Sequence, residues 1–359
     1  MFKTTHGRMS LKVGAILFAA SLALTACGET TDTPAEDDTL AGETSAPAGE
    51  MTGDLSITFI PKQLNNPYTD VVLGGGEDGA TAAGFAESNV VGPLDASASS
   101  QVTFINAETQ AGTSVIVIAA NDPDAVCDAL GQARDGGAKI VAFDSDANPD
   151  CRDVFISQVV SDDVAKIQVE LIAEQIGGAG EIAILSATAN ATNQNAWIAS
   201  MEKELSSNPD YADIELVAKV YGDDDDTKSF QEAQGLMQAH PNLKGIISPT
   251  TVGIAATARY LSTSEYKGEV ALTGLGLPNE MRSFVKDGTV TEFALWDPAQ
   301  LGYVAAFAGK ALAEGEITGE TGDTFTAGDM GEREVGEDGV VIVGPPTRFN
   351  ADNIDEYDF

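Results

Sequence analysis

Short apolar runs separated by polar turns recur along this chain from about residue 55 to its end. The runs are rich in β-branched and aliphatic residues, which predicts strands, and the segments between them return apolar residues every three or four positions, which predicts helices. Strands are predicted at 55–60, 114–119, 139–143, 181–185, 214–221, 245–248, 270–273 and 291–296, and helices at 124–134, 162–176 and 301–312. Apolar strands alternating with helices indicate an α/β fold with parallel sheets covered on both faces.

Polar loops follow several of the predicted strands, at the positions where parallel α/β sheets bind ligands. These loops lie at 61–68, 144–146, 190–197, 249–251 and 296–298. They combine Asp, Asn, Gln and Lys, which can bond hydroxyl groups, with aromatic rings that can stack on the C–H face of a sugar. One such loop is weak evidence, because polar residues after a strand commonly form turns or helix caps. Five at corresponding positions favour a polyhydroxylated ligand.

The amino-terminal residues follow a different pattern, a basic flank and then an apolar run at 13–24. This run is about 12 residues long, shorter than the ~20 residues that span a bilayer as a helix. It ends in Leu-Thr-Ala-Cys at 24–27, which resembles the cleavage motif of bacterial lipoprotein signal peptides. We therefore expect residues 1–26 to be a signal peptide and Cys27 to be lipidated. The alternative is a plain secretory signal with an incidental cysteine.

Residues 27–54 mix Thr, Ala, Pro, Gly and acidic residues and contain no Lys or Arg. Such a segment cannot bury enough apolar surface to offset its chain entropy. We expect a disordered acidic tether that holds the folded body at the outer face of the cytoplasmic membrane, or in the periplasm. The remaining chain is long enough for two lobes of ordinary domain size.

Acidic residues dominate the charge, with 56 Asp and Glu against 19 Lys and Arg and a formal net charge of −37. Phosphate backbones and anionic membrane surfaces would repel such a protein, so we expect no nucleic-acid partner and no membrane contact beyond the lipid. The acidic run at 223–226 could suggest calcium, but calcium loops spread their ligands at alternating positions. We expect instead a solvated turn that caps a helix beginning near residue 227.

The chain has three cysteines, which leaves Cys127 and Cys151 as a pair if Cys27 carries lipid. In an exported domain a disulfide is the expected state of such a pair. It would stabilise the fold by roughly 3 kcal/mol in the chain-entropy account. Two separate thiols remain the alternative if the Cα atoms lie too far apart.

Enzyme chemistry has little support in the residue inventory. The chain has two histidines, and one falls in the leader, so His240 alone would remain for a serine triad or a histidine-rich zinc site. The spacing Gly-x-Gly-x-x-Gly occurs at 74–79, but these glycines do not directly follow a strand, as a dinucleotide-binding fingerprint requires. We interpret them as small residues that let the first helix pack closely, and we expect no enzymatic activity, cofactor or metal.

Further motifs resemble one known family across nearly the whole body of the chain. They lie at 60–62 (Ile-Pro-Lys), 65–68 (Asn-Asn-Pro-Tyr), 121–124, 143–146 (Phe-Asp-Ser-Asp), 191–195, 221–226, 247–253, 295–297 and 352–359. They are similar to the periplasmic-binding-protein superfamily of ribose-binding type, and within it to the rhamnose-binding components of bacterial ABC importers. The resemblance implies a monomer that binds L-rhamnose and delivers it to the subunits of an ABC permease.

The resemblance also implies the architecture, two Rossmann-like, doubly wound lobes joined by a multi-strand hinge. Residues 55–157 and 299–338 would form the amino-terminal lobe, and residues 158–298 and 339–359 the carboxy-terminal lobe. The lobes would close on the sugar by a hinge motion.

The ligand contacts that the resemblance implies come from both lobes. The contacts of the first lobe and the hinge would be Lys62, Asn66, Tyr68, Asp144 and Asp297, and those of the second lobe Asn193, Gln194, Pro249 and Thr251. Asp146 would either orient Asp144 or cap the following turn. Trp197 and Trp296 are each expected in the core rather than as stacking platforms.

A related family binds the quorum signal autoinducer-two through a Lys, an Asp, an Asp-Gln pair and a Pro-x-Ala segment. The matching positions here are Lys62, Asp144, Asn193 with Gln194, and Pro249 with Thr251, so the departures are Asn193 for Asp and Thr251 for Ala. Asn adds a donor that Asp lacks, and Thr adds a hydroxyl and a β-branch. These departures favour rhamnose, with the quorum signal or another pentose or deoxyhexose as the alternative.

Overall fold

The structure is a computed structural model that describes residue 51 and residues 53–359. The expected signal peptide, Cys27 and almost all of the tether lie outside these residues. The strands are β1 Ser56–Ile60, β2 Glu87–Val90, β3 Val115–Ile118, β4 Lys139–Phe143, β5 Val154–Ser157, β6 Gly180–Ser186, β7 Ile214–Tyr221, β8 Leu243–Ser248, β9 Ala271–Gly274, β10 Glu292–Leu295, β11 Thr324–Thr326, β12 Glu332–Glu334, β13 Val340–Ile342 and β14 Thr347–Asn350. The α-helices are α1 Pro67–Ala83, α2 Ala98–Ala111, α3 Cys127–Asp135, α4 Ser161–Ile176, α5 Thr192–Ser207, α6 Asp226–Ala239, α7 Thr251–Ser262, α8 Pro278–Lys286 and α9 Pro298–Ala313.

Two parallel sheets organise the body and confirm the α/β fold class. The first has strand order β13-β5-β4-β3-β1-β2, and the second has the order β7-β6-β8-β9. Strands at the centre of each sheet are apolar and fully buried, as in β3 and in Ile182–Leu185 of β6, because helices cover both faces. Among the described residues, no helix is both long and apolar enough to cross a membrane.

Strands β10 and β14 form a separate antiparallel pair that packs with the second sheet. The chain passes three times between the first sheet and this second group of elements, and these passages form the hinge. They lie between β5 and α4, between β10 and α9, and between β13 and β14. We call the first sheet with α1–α3 and α9 the first lobe, and the second sheet with α4–α8 the second lobe. The third passage is later than the expected boundary at residue 338. Val340–Ile342 pairs in parallel with β5 and buries Val341, so it belongs to the first lobe.

Helices α1 and α9 pack face to face in the first lobe, and glycines set their separation. A Cβ atom at Gly75 would lie 2.0 Å from the carbonyl oxygen of Ala299, and one at Gly302 would lie 2.0 Å from that of Val72. A Cβ atom at Gly79 would lie 2.8 Å from Tyr303. The glycine-rich start of α1 therefore serves close packing. This contact fixes the start of α1 and the loop before it, which together carry three of the expected ligand contacts.

A disulfide links Cys127 to Cys151 within the first lobe, with their Cα atoms 5.4 Å apart. It ties the start of α3 to the segment that leads into β5. Because the bridge spans 24 residues of sequence, it limits the unfolded chain and contributes roughly 3 kcal/mol in the chain-entropy account.

Candidate functional site

A cavity lies between the two lobes at the carboxyl ends of the strands, where the sequence pattern predicts a ligand site. Its lining comprises Pro61, Lys62, Gln63, Asn66, Tyr68, Thr69, Val72, Ala119, Phe143 and Asp144 of the first lobe, Asn193, Gln194, Trp197, Asp224, Pro249, Thr250, Thr251 and Leu275 of the second lobe, and Leu295 and Trp296 beside the hinge. The structure thus brings eight of the nine expected ligand residues to one cavity.

Asp144 forms the centre of the polar lining. It follows β4 in a left-handed backbone conformation, with φ of 60°, which Asp and Asn adopt more readily than most residues. Its Oδ1 accepts hydrogen bonds from Gln158 Nε2 at 2.8 Å and from Tyr68 OH at 3.1 Å. Its Oδ2 lies 3.3 Å from Lys62 Nζ. Three polar groups therefore hold the carboxylate of Asp144, a residue that is only 9% exposed, in one orientation towards the cavity.

Lys62 follows β1 and connects the two lobes. Besides its ion pair with Asp144, its Nζ donates to Asn193 Oδ1 at 3.4 Å. Asn193 in turn donates from Nδ2 to Asp144 Oδ1, also at 3.4 Å. Lys62, Asp144 and Asn193 thus form a triangle that includes one residue of the second lobe.

Three aromatic rings close one side of the cavity. Trp296 Nε1 donates to Tyr68 OH at 3.1 Å, and the two rings meet edge to face. Trp197 packs against Trp296 with ring centroids 5.8 Å apart. Burial, followed by the negative charge of Asp144, raises the pKa of Tyr68 well above its usual value, so Tyr68 stays a neutral donor. Both tryptophans are buried, as expected of core residues, yet both also line the cavity.

Two of the expected amide contacts have internal partners. The Asn66 side chain accepts from the backbone N–H groups of Tyr68 and Thr69, which caps α1. The Gln194 side chain accepts from Ser186 and donates to the Pro249 carbonyl oxygen at 2.5 Å. Both residues line the cavity, and these bonds fix the loops around it.

The structure places Asp297 outside the cavity lining. Its Oδ1 accepts from the backbone N–H of Ala299 at 3.0 Å, so the side chain caps α9. Its Oδ2 faces Gln300 Nε2 at 3.4 Å. A cap and a ligand residue require the same residue types after a strand, which explains why the sequence pattern does not separate them.

Asp146 makes its main contact with Arg152 and does not bond Asp144. It forms a two-bond ion pair with Arg152, whose Nε and Nη2 lie 2.6 and 2.9 Å from the carboxylate oxygens. Arg152 is only 4% exposed and donates from Nη1 to the carbonyl oxygen of Asp338 at 2.8 Å. Burial raises the pKa of Asp146, while the hydrogen bond and charge of Arg152 lower it. The pair ties the loop after β4 to the segment that enters β13.

Two residues of the site are absent from the sequence-based set. Gln158 lies in the first hinge passage, is 2% exposed, and bonds Asp144 directly. Asp224 lies in the acidic run after β7 and lines the cavity. The neighbouring Asp225 caps α6 by accepting from the backbone N–H of Lys228 at 2.7 Å, as expected for a solvated turn. The acidic run therefore conceals one inward-facing carboxylate among outward-facing ones.

Direct contacts join the lobes across the mouth of the cavity. Gln63 Nε2 donates to the carbonyl oxygen of Asp224 at 3.3 Å, and the hydroxyls of Ser145 and Thr192 lie 2.9 Å apart. Together with the Lys62–Asn193 bond, these contacts exist only while the lobes are together. The structure therefore shows a closed arrangement.

The chain is similar to a known protein family and to several solved structures. A family model described as "Periplasmic binding protein domain" matches residues 57–317. A crystal structure of a sugar ABC transporter from Actinomyces odontolyticus is 72% identical, has a TM-score of 0.71, and aligns over 85% of this chain and 98% of that chain.

Two further solved structures contain ligands. An ABC transporter solute-binding protein from Clostridium phytofermentans, solved with bound L-rhamnose, is 35% identical with a TM-score of 0.81, over 86% of this chain and 99% of that chain. LsrB from Clostridium saccharobutylicum, in complex with AI-2, is 27% identical with a TM-score of 0.80, over 85% of this chain and 100% of that chain.

Proposed function

Because this chain belongs to the periplasmic binding protein family and is a non-enzymatic binding protein of ABC sugar importers, we propose that its ligand is L-rhamnose. The observation that carries the proposal is that polar groups and an aromatic wall lie together in one cavity. Lys62, Asp144 and Asn193 provide charge-assisted donors and acceptors for ring hydroxyls. Tyr68, Trp197 and Trp296 provide an apolar wall for C–H groups and the methyl group.

The relative with bound L-rhamnose supports this choice. At 35% identity its backbone superposes with a TM-score of 0.81.

We infer that sugar binding drives the closure. A ligand that touches Lys62 and Asp144 on one lobe and Asn193 and Thr251 on the other makes its full set of contacts only when the lobes meet. Binding therefore shifts the population towards the closed form. That form, acting as a monomer, would be the shape that the permease subunits recognise.

The body from residue 55 onward is expected to bind L-rhamnose with a dissociation constant of about 1 µM or lower, which corresponds to about −8 kcal/mol. Saturating sugar should raise the melting temperature by several degrees, because only the folded state binds it. A thermal-shift panel of L-rhamnose, D-ribose, D-arabinose and D-fucose measures this. No shift with millimolar rhamnose, in protein that unfolds cooperatively, would disprove the assignment, and a larger shift with another sugar would reassign the ligand.

The quorum signal autoinducer-two is the second candidate, supported by the AI-2 complex of LsrB. The double change Asn193→Asp with Thr251→Ala is expected to weaken rhamnose at least tenfold and to improve binding of the signal. Asn193 Nδ2 donates to Asp144 Oδ1, so a carboxylate at residue 193 would instead repel Asp144. Each lost polar contact should cost about 1 to 3 kcal/mol.

Competition binding with both ligands tests this change in specificity. The single change Thr251→Val serves as a control, because it keeps the β-branch and removes only the hydroxyl. Unchanged rhamnose affinity in the double variant would show that these positions do not determine the ligand. Tight signal binding by the wild type would make autoinducer-two the preferred assignment.

We also propose that the mature protein is a lipoprotein anchored through Cys27 at the outer face of the cytoplasmic membrane. A Cys27→Ser change is expected to release the protein into the medium or periplasm, because an apolar leader of about 12 residues is too short to anchor the chain. Cell fractionation followed by immunoblotting measures the release. If a correctly cleaved Cys27→Ser protein stayed with the membrane, another anchor would have to hold it.

A further inference from the structure

We propose that Asp224 is a second ligand-binding carboxylate, which opposes Asp144 across the cavity and makes the site selective for neutral sugars over anionic ones. This inference rests on the proposed function, since it assumes that the cavity holds a sugar. Asp224 lines the cavity from the second lobe, and Asp144 lines it from the first.

The backbone of the loop after β7 aims Asp224 inward. Asp223 and Asp224 both adopt left-handed conformations, with φ of 55° and 52°. Two consecutive residues of this kind turn the chain tightly, so that Asp224 lines the cavity while Asp223 lies outside its lining. The carbonyl oxygen of Asp224 also accepts the bond from Gln63 of the first lobe at 3.3 Å. Asp224 thus belongs both to the cavity and to the closed contact between the lobes.

The contacts of Asp224 leave acceptor capacity for a ligand. Its Oδ1 accepts from Thr250 Oγ1 at 2.5 Å, and no other side-chain hydrogen bond to its carboxylate is found in the described residues. A carboxylate has about four acceptor positions, so sugar hydroxyls can use the others. Burial raises the pKa of Asp224, and the charge of Lys62 and the Thr250 bond partly counteract that rise. A half-buried and incompletely bonded carboxylate destabilises the free protein, a cost typical of a functional group.

The charges of the cavity lining explain the selectivity. Lys62, Asp144 and Asp224 are the ionisable groups of the lining apart from the neutral phenol of Tyr68. The lining therefore carries one positive and two negative charges. A neutral sugar can donate hydroxyl hydrogens to both carboxylates, whereas a sugar acid or a sugar phosphate would bring another negative charge into a desolvated space.

The chain offers a matched pair of variants, Asp224→Asn and Asp223→Asn. Both remove one negative charge, and Asn tolerates the left-handed backbone of either position. Asn at residue 224 can still accept from Thr250. Asp223 pairs instead with the exposed Lys228, so its variant controls for the change in charge of the loop.

The experiment measures binding of L-rhamnose and of its anionic acid, L-rhamnonate, by calorimetry, and the melting temperature of each sugar-free protein. We expect Asp224→Asn to lose about tenfold or more in rhamnose affinity. We also expect its sugar-free melting temperature at pH 7 to equal or exceed that of the wild type. Asp223→Asn should bind like the wild type, and neither the wild type nor Asp223→Asn should bind the acid.

The outcomes separate this inference from the proposed function. If the wild type bound no sugar of the panel, the function and this inference would both fail. If the wild type bound rhamnose and Asp224→Asn bound it equally well, only the role of Asp224 would be overturned. A lower melting temperature with unchanged affinity would make Asp224 a structural residue, and binding of the acid by the wild type would overturn the charge selectivity.

Discussion

Asp144→Asn is expected to reduce sugar affinity by about 2 to 4 kcal/mol, roughly 30-fold to 1000-fold, while the protein stays folded. Asn has the same shape as Asp, and its Oδ1 can still accept from Tyr68 and Gln158. It loses the negative charge that faces Lys62 at 3.3 Å. It also places an amide where sugar hydroxyls would otherwise meet a charged acceptor, so those hydroxyls are left poorly bonded in a closed cavity. The loss should appear mainly in binding.

Titration calorimetry of wild type and variant measures this change, and a matched control exists. Asp338 is exposed and has a left-handed φ of 54°, close to the 60° of Asp144. Asp338→Asn therefore makes the same chemical change in the same backbone conformation, away from the cavity, and should leave affinity unaltered. Near-native affinity of Asp144→Asn would mean that Asp144 only shapes the loop after β4.

Much of the fold was predictable where burial dominates the sequence pattern, although the short buried strand β5 was not among the predicted strands. Strands such as β3 and β4 are continuous apolar runs, because both faces of the sheet are covered. Strand β2, with the sequence Glu-Ser-Asn-Val, escaped prediction because it is an exposed edge strand whose side chains bury little surface. The short strand β13 was assigned to the wrong lobe for a related reason. The position of its three residues depends on their pairing with β5, which is distant in sequence.

The candidate site was predictable as a set of loops but only partly as a set of contacts. Lys62, Asp144 and Asn193 meet as the strand-end rule implies. Asp297 follows a strand in the same way, yet it caps a helix. Local sequence determines that a polar group stands at the end of a strand. The direction of its side chain depends on the helix that follows and on the opposite lobe, which the local pattern does not contain.

Gln158 is a residue beside the cavity that the local sequence pattern does not reveal. Nothing in its surroundings along the chain marks it as part of the site, because it stands between an apolar strand and a polar helix start. The hinge passage carries it beside Asp144, where it donates at 2.8 Å. The bond joins a hinge residue to an expected ligand contact, so the position of the loop after β4 is coupled to the segment that must bend when the lobes move.

Removing the guanidinium of Arg152 is expected to lower the free energy of unfolding by about 3 to 5 kcal/mol, the usual result of breaking a buried ion pair by removing one partner. The change Arg152→Met keeps much of the aliphatic volume. It leaves Asp146 as a largely buried carboxylate without its counter-ion and the carbonyl of Asp338 without its donor. Urea unfolding of the disulfide-intact protein at pH 7 measures the loss.

An exposed ion pair that also has two bonds provides the control. Arg259 bonds both carboxylate oxygens of Asp226 at 2.6 and 2.8 Å, but the two side chains are 47% and 56% exposed. Solvent-exposed pairs contribute about 0 to 1 kcal/mol, so Arg259→Met should change stability little. Equal losses in the free energy of unfolding of the two variants would show that burial does not increase the contribution of the Arg152 pair.

The pH dependence of the Arg152→Met protein tests the cause of its instability. Burial already raises the pKa of Asp146, and Arg152 opposes that rise. Without Arg152 the pKa of Asp146 should rise further. A carboxyl group whose pKa is higher in the folded than in the unfolded state lowers the stability of the fold as the pH rises and the group loses its proton. The stability difference from the wild type should therefore shrink as the pH falls from 7 towards the ordinary pKa range of carboxyl groups. If the stability difference between the variant and the wild type did not change with pH, the loss would come from packing and from the Asp338 carbonyl, and not from an unpaired charge on Asp146.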